Sequence, residues 1–164
     1  MDTEKRASIE LDQLVAYVIY KQPSFEDLKK QFACDVDPNL EDRQFVPIAG
    51  CKNVSQVSRE LIFELIEFDW DVTTEEVIEE LTADGLRPAL YEEFVCFLEK
   101  WGRALVNGLL RQGIVELGSE TSVAGESNAV VFSQDKHSDK LSLSLTFTGS
   151  IPWYDNMLFL AVRE

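Results

Sequence analysis

Reactive and metal-binding side chains are scarce in this chain, which has one histidine and three cysteines, Cys34, Cys51 and Cys96, none in a CxxC pair. An odd number of scattered thiols speaks against a disulfide framework, and one histidine leaves no ligand set for a zinc site. Both point to a reducing, cytoplasmic setting in which Asp35 and Asp37 would raise the pKa of a neighbouring thiol and dull its reactivity. Long apolar runs are missing too. The stretch 14–20 is far shorter than the roughly 20 residues a bilayer-spanning helix needs. The opening residues 1–11 are charged and mixed, unlike a basic and then apolar targeting segment. No catalytic or cofactor motif stands out, so neither a catalytic residue nor a cofactor is expected.

Basic residues are absent from one region in particular. Between Glu60 and Glu99 there are 13 acidic residues against the single Arg87, so most of the chain's net charge of −15 lies in this stretch. Such a block repels phosphates and anionic membranes and draws in basic protein surfaces at a rate that depends on salt. The expected partner is therefore a basic protein surface, including that of a nucleic-acid-binding protein, rather than nucleic acid or membrane.

What is present is enough to build a core. The 164 residues are 45% hydrophobic and include ten Phe, four Tyr and three Trp, ample apolar area to oppose chain entropy. The length suits one compact unit, read as a helical N-terminal region with a connecting loop (1–53) and an α+β domain (54–164).

Periodicity supplies the elements. Ile9, Val15 and Ile19, with Leu14 and Val18, recur at helical spacing behind Ser8, and Phe25, Leu28 and Phe32 do so behind Ser24. Residues 33–53, punctuated by Pro38, Pro47 and Gly50, read as a surface connection. The segment 54–71 fits both a helix and an apolar strand, and is read as a helix turning into a strand. Thr73 and Glu76 form a capping box for a helix that stops at Gly85, and Pro88 is expected to open the next helix, with 104–110 as a third amphipathic piece. Strands are expected at 113–118, 129–133, 140–148 and 157–163. Leu141, Leu143, Leu145 and Phe147 show the clearest two-residue alternation. The fold class that results is α+β: a helical N-terminal part, then two adjacent helices packed on a small, mainly antiparallel sheet.

The runs TTEEVIEELTADGLRPALYEEFVCFLEKW, GIVELGS and WYDNMLFLAVRE resemble a family of small, mostly uncharacterised proteins of bacteria, phages and metagenomes. Its members pair a two-helix stretch around a GxRPA turn with a PIVALGS-like strand and a terminal RFLAVRK-like strand. The resemblance spans residues 70–164. The same order is also similar to the C-type-lectin-like fold of formylglycine-generating enzymes and retroelement-diversified binding proteins, which would imply ligand-binding loops at 119–128 and 149–156. The enzyme's cysteines have no counterpart after Cys96, and the Glu-Pro-Asn or Gln-Pro-Asp run of calcium-type sugar sites is absent, so neither chemistry carries over.

The sequence offers four candidate sites. His137 lies in the polar run 133–140, a hairpin turn in which no oriented partner or nucleophile is indicated. Glu64, Glu67, Asp69 and Asp71 lack the glycine bend and ligand spacing of a calcium loop, so a solvated acidic face is the simpler reading and no metal is expected. Trp153 and Tyr154 form either a partner anchor or part of the core beside the last strand. The acidic helix faces are Glu75, Glu76, Glu79, Glu80 and Asp84 on one helix and Glu92, Glu93 and Glu99 on the next, and the pairs Glu75/Glu79 and Glu76/Glu80 repel at a few tenths of a kcal/mol each. They serve either solubility or docking. The leading expectation is a non-enzymatic protein-binding module, one version being a phage-linked inhibitor that presents carboxylates in place of phosphates. The alternative is a small-ligand or sugar-binding module, or a relict enzyme, on a lectin-like fold.

Overall fold

The computed structural model describes residues 6–8, 14–20, 25–32, 34–40, 44–106, 113–135, 137–149, 152–154 and 157–164. In chain order the elements are β1 (Arg6–Ser8), β2 (Leu14–Val18), α1 (Phe25–Phe32), β3 (Asp35–Val36), β4 (Val46–Pro47), β5 (Arg59–Phe68), α2 (Thr74–Ala83), β6 (Leu86–Pro88), α3 (Tyr91–Val106), β7 (Gly113–Val123), β8 (Glu126–Gln134), β9 (Leu141–Phe147) and β10 (Met157–Arg163). Short 3-10 turns occupy Pro38–Leu40 and Ala49–Cys51.

One large mixed sheet organises these elements, in the order β1-β5-β10-β7-β8-β9-β3, with β2 also on β5, β4 on β7 and β6 on β10. The β10·β7 and β3·β9 pairs are parallel and the remaining pairs antiparallel. The expected helical N-terminal part and small sheet are thus corrected to a mostly β architecture. The reason is visible at β2, where Leu14, Ala16 and Val18 are buried on one face while Tyr17 is exposed. The run LVAYV has the β-branched and aromatic content that suits a pleated surface, and pairing along Arg59–Phe63 of β5 overrides its helical spacing. Ser8 lies in β1 rather than at a helix cap, and Ile9 lies outside the described residues. The helical half of the 54–71 reading is also corrected, because β5 is a strand over its whole length and residues 54–58 before it form no helix. Strands from both sides of residue 53 share the sheet through β2·β5, β4·β7 and β3·β9.

The sheet buries both faces. On one side Phe94, Phe97, Leu98 and Leu105 of α3, with Phe32 of α1, cover Leu61, Phe63, Leu65, Phe132, Leu158, Leu160 and Val162. On the other, Val77 and Leu81 of α2 pack with Ile66, Phe68, Val115, Leu117, Val131, Phe159 and Ala161. A strand covered on both faces has no polar side, which explains why MLFLAV is an unbroken apolar run while the outlying β9 alternates. Each such buried side chain contributes roughly 1.5–3 kcal/mol.

Helix α2 forms where local signals agree. The Thr73 side chain accepts from the Glu76 N–H, the Glu76 carboxylate accepts from the Thr73 N–H, and Gly85 leaves the helix at φ +72°. Pro88 corrects a second expectation. It ends β6 opposite Ala161, an outlying position where its missing N–H does no harm, and α3 starts at Tyr91. No described helix is long and apolar enough to cross a membrane.

Candidate functional site

The acidic block divides between two places. Glu75, Glu76 and Glu79 are exposed on α2 and Glu80 is half-buried, with exposed Asp69, Asp71 and Asp84 flanking the helix. Only Val77 and Leu81 of α2 are fully buried, Thr74, Ile78 and Glu80 are half-buried, and its other positions are exposed. Neither Glu75 nor Glu79 has an ion pair among the described residues. Trp153 lies at the start of this helix, but inside it. Its Nε1 donates to Thr74 Oγ1 at 2.9 Å, its ring meets Phe159 edge-on at 6.0 Å, and its backbone exchanges two hydrogen bonds with Val72. Tyr154, one residue on, is 69% exposed. Trp153 is therefore a core anchor, and of the two only Tyr154 is exposed.

Glu92 and Glu93 go elsewhere. Helix α3 buries Tyr91, Phe94, Val95, Phe97 and Leu98, which leaves its first turn wedged against the sheet. Glu93 has no exposure at all. Its Oε1 accepts from Arg87 Nη1 at 2.7 Å and from the Leu90 N–H at 2.7 Å, while its Oε2 accepts from Arg87 Nη2 at 2.8 Å and the Tyr20 hydroxyl at 2.6 Å. One carboxylate thus serves as helix cap, bidentate ion-pair partner and phenol acceptor, which is what a buried charge requires. Burial works against the Arg87 charge, but the Glu93 contacts outweigh it and hold the guanidinium firmly protonated. Burial, then the bond to Glu93, pushes the Tyr20 phenol up. Arg87 Nη2 also reaches Glu164 at 3.0 Å, and Arg59 Nη2 reaches the same oxygen at 2.8 Å. Glu92 is half-buried, and desolvation, aided by the neighbouring Glu93 charge, raises its carboxyl above the ordinary range.

The opposite wall of this seam is β7. Its register with β8 shifts between Glu116 and Thr121, and over that interval Ser119 and Glu120 pair with Pro47 and Val46 of β4. Such a bulge re-aims side chains. Ser119 Oγ accepts from the Tyr91 N–H at 3.0 Å, capping α3 from another strand. Gly118 allows the close approach: its N–H donates to Ala89 O at 3.0 Å, and an added Cβ would sit 2.3 Å from that oxygen. Phe45 stacks on Tyr91 at 4.0 Å. The Cys51 thiol lies 3.9 Å from Pro88 O, and burial pushes its pKa up to about 11. Burial likewise raises Cys34 and Cys96, so none of the three is an activated thiol.

The remaining candidates are dispersed. His137 is exposed in the β8–β9 turn, where its backbone N–H donates to Asp135 Oδ1 at 2.7 Å. Glu64 pairs with Arg163 at 2.9 Å, and no three His, Cys, Asp or Glu among the described residues are placed to hold a metal. Residues 119–128 are not an open loop but the arms and turn of the β7–β8 hairpin, turning at Ala124 and Gly125, both at positive φ. An open groove of about 630 Å³ runs beside that hairpin, lined by Gln44, Val46, Glu120, Thr121 and Ser122 among others. Of 149–156, only Gly149 and Pro152–Tyr154 are among the described residues.

Sequence reasoning missed Tyr20, Glu116, Ser119 and Glu164. One signal was available: Glu116 is a lone charge inside the apolar strand GIVEL, which marks a charge bound for the interior. Comparison with protein-family models, with curated proteins and with solved structures returned no match.

Proposed function

We infer that this chain is a protein-binding module that docks a basic partner on the exposed face of α2. The observation that carries the reading is the one-signed surface of Glu75, Glu76 and Glu79, extended by Asp69, Asp71 and Asp84 with no Lys or Arg between Glu60 and Leu86. Tyr154, held beside the helix by the anchored Trp153, adds the aromatic contact such interfaces favour. Carboxylates presented this way steer a cationic surface and make association strongly salt-dependent. Glu92 and Glu93 are left out, since the first is half-buried and the second is occupied by Arg87. A binding site for a protein that itself grips phosphates is the specific form this surface suits best.

The test is capture from lysate of the source organism on the immobilised chain, with elution along a salt gradient and Glu75→Lys/Glu79→Lys as the comparison. A basic protein held at low salt, released by moderate salt and lost on charge reversal is the expected result. Capture that resists high salt or survives reversal would sink the reading.

A further inference from the structure

Glu116 is the fully buried carboxylate of the α3 seam that has no cation partner among the described residues. It has no exposure, its Oε1 accepts from the Ser119 N–H at 2.6 Å, and its Oε2 has no hydrogen-bond partner among the described residues. The groups around it are set by the elements packed there. The Glu92 and Glu93 charges on α3 act on it, its own charge bears on Tyr91 of α3 and on Cys51 of the turn after Ile48, and Arg87 of β6 is bound to Glu93. Both terminal nitrogens of Arg87 are already engaged by Glu93 and Glu164. Glu93 and Glu116 thus lie fully buried in one seam with Glu92 half-buried beside them, and of the two buried carboxylates only Glu93 is paired with the guanidinium; an unpaired buried charge is far more costly than an unpaired hydroxyl.

We propose that Glu116 keeps its proton in the folded protein at neutral pH, and that losing it unseats the first turn of α3 from β7, so that this seam is a proton-sensitive latch. The linkage runs through a single residue. Ser119 holds Glu116 with its N–H and the start of α3 with its hydroxyl. An ionised Glu116 is relieved only by reaching water, and that movement draws Ser119 away from the Tyr91 N–H. Desolvation is the main cause holding the Glu116 acid well above its ordinary range; the Ser119 N–H opposes it, and the Glu92 and Glu93 charges add to it. A carboxyl raised above its unfolded value of about 4.3 contributes stability that is complete below that value and is lost as pH rises through the folded one.

The experiment compares urea unfolding of the wild type, Glu116→Gln and Glu116→Met from pH 5 to 9, with hydrogen exchange at the Tyr91 amide as a local readout. Relative to either variant, the wild-type folding constant is expected to fall by up to about tenfold per pH unit inside the window, with Tyr91 protection falling alongside. A difference that stays flat with pH, or that grows in favour of the wild type as pH rises, overturns the proposal. If neither variant folds, infrared difference spectra of Glu92→Gln between pH 5 and 9 decide it. A protonated-carboxyl band persisting at neutral pH supports the latch, and its absence overturns it.

Discussion

Two glutamate pairs, Glu75–Glu76 and Glu92–Glu93, each open a helix of the same chain, and they meet opposite fates. The first pair is exposed on α2, while the second is half-buried and fully buried on α3. Propensity and first-turn position cannot separate them. The difference lies in how much of each helix the sheet claims: α2 commits Val77 and Leu81, whereas α3 commits five of its first eight residues as apolar core and draws Glu93 in with them. A charge block in sequence is therefore not a charge block on the surface. The portion that remains exposed is smaller and centres on α2 and its flanks, with Glu60 of β5 and Glu99 of α3 exposed elsewhere.

The comparison can be broken most severely at Arg87. Arg87→Met leaves Glu93 buried without its partner and is expected to lower unfolding free energy by about 3–5 kcal/mol; a loss near zero in urea titration would show that Glu93 is not the central charge of the seam. On the other helix, Thr73→Ala removes one half of the capping box and is expected to reduce stability by about 1 kcal/mol, measured the same way. The smallest effect belongs to Glu75→Lys/Glu79→Lys, where two exposed carboxylates with no ion pair among the described residues change sign. Thermal unfolding is expected to shift by an amount equivalent to less than about 0.5 kcal/mol per site, so a large loss would mean that α2 is held by its charges and is not a free docking face.

Much of the local structure was legible. The capping box at Thr73, the Gly85 stop, the short helix from Phe25 to Phe32 and the strands expected at 113–118, 129–133, 140–148 and 157–163 all follow from spacing within a few residues. The N-terminal strands were not. In LVAYV the pairs one helical turn apart and the alternate residues of a strand overlap at Leu14 and Val18, and pairing with β5, over 40 residues away, decides between them. Pro88 was misplaced for a related reason, because a proline suits the first turn of a helix as well as an outlying strand, and only β10 beside it makes the second choice.

The candidate site was legible by half. The exposed face of α2 could be named residue by residue, whereas the buried seam joins Tyr20, Arg87, Glu93, Glu116, Ser119 and Glu164 from separate stretches of chain. What the sequence alone determined is the inventory and its local grammar: an excess of carboxylates around one arginine, the caps of α2, and the apolar runs of the central strands. Only the tertiary structure decided which carboxylates see water, because burial of a charge depends on where its distant partners lie. Arg87 and Tyr20 make the interior tolerable for Glu93, while among the described residues nothing comparable pairs with Glu116.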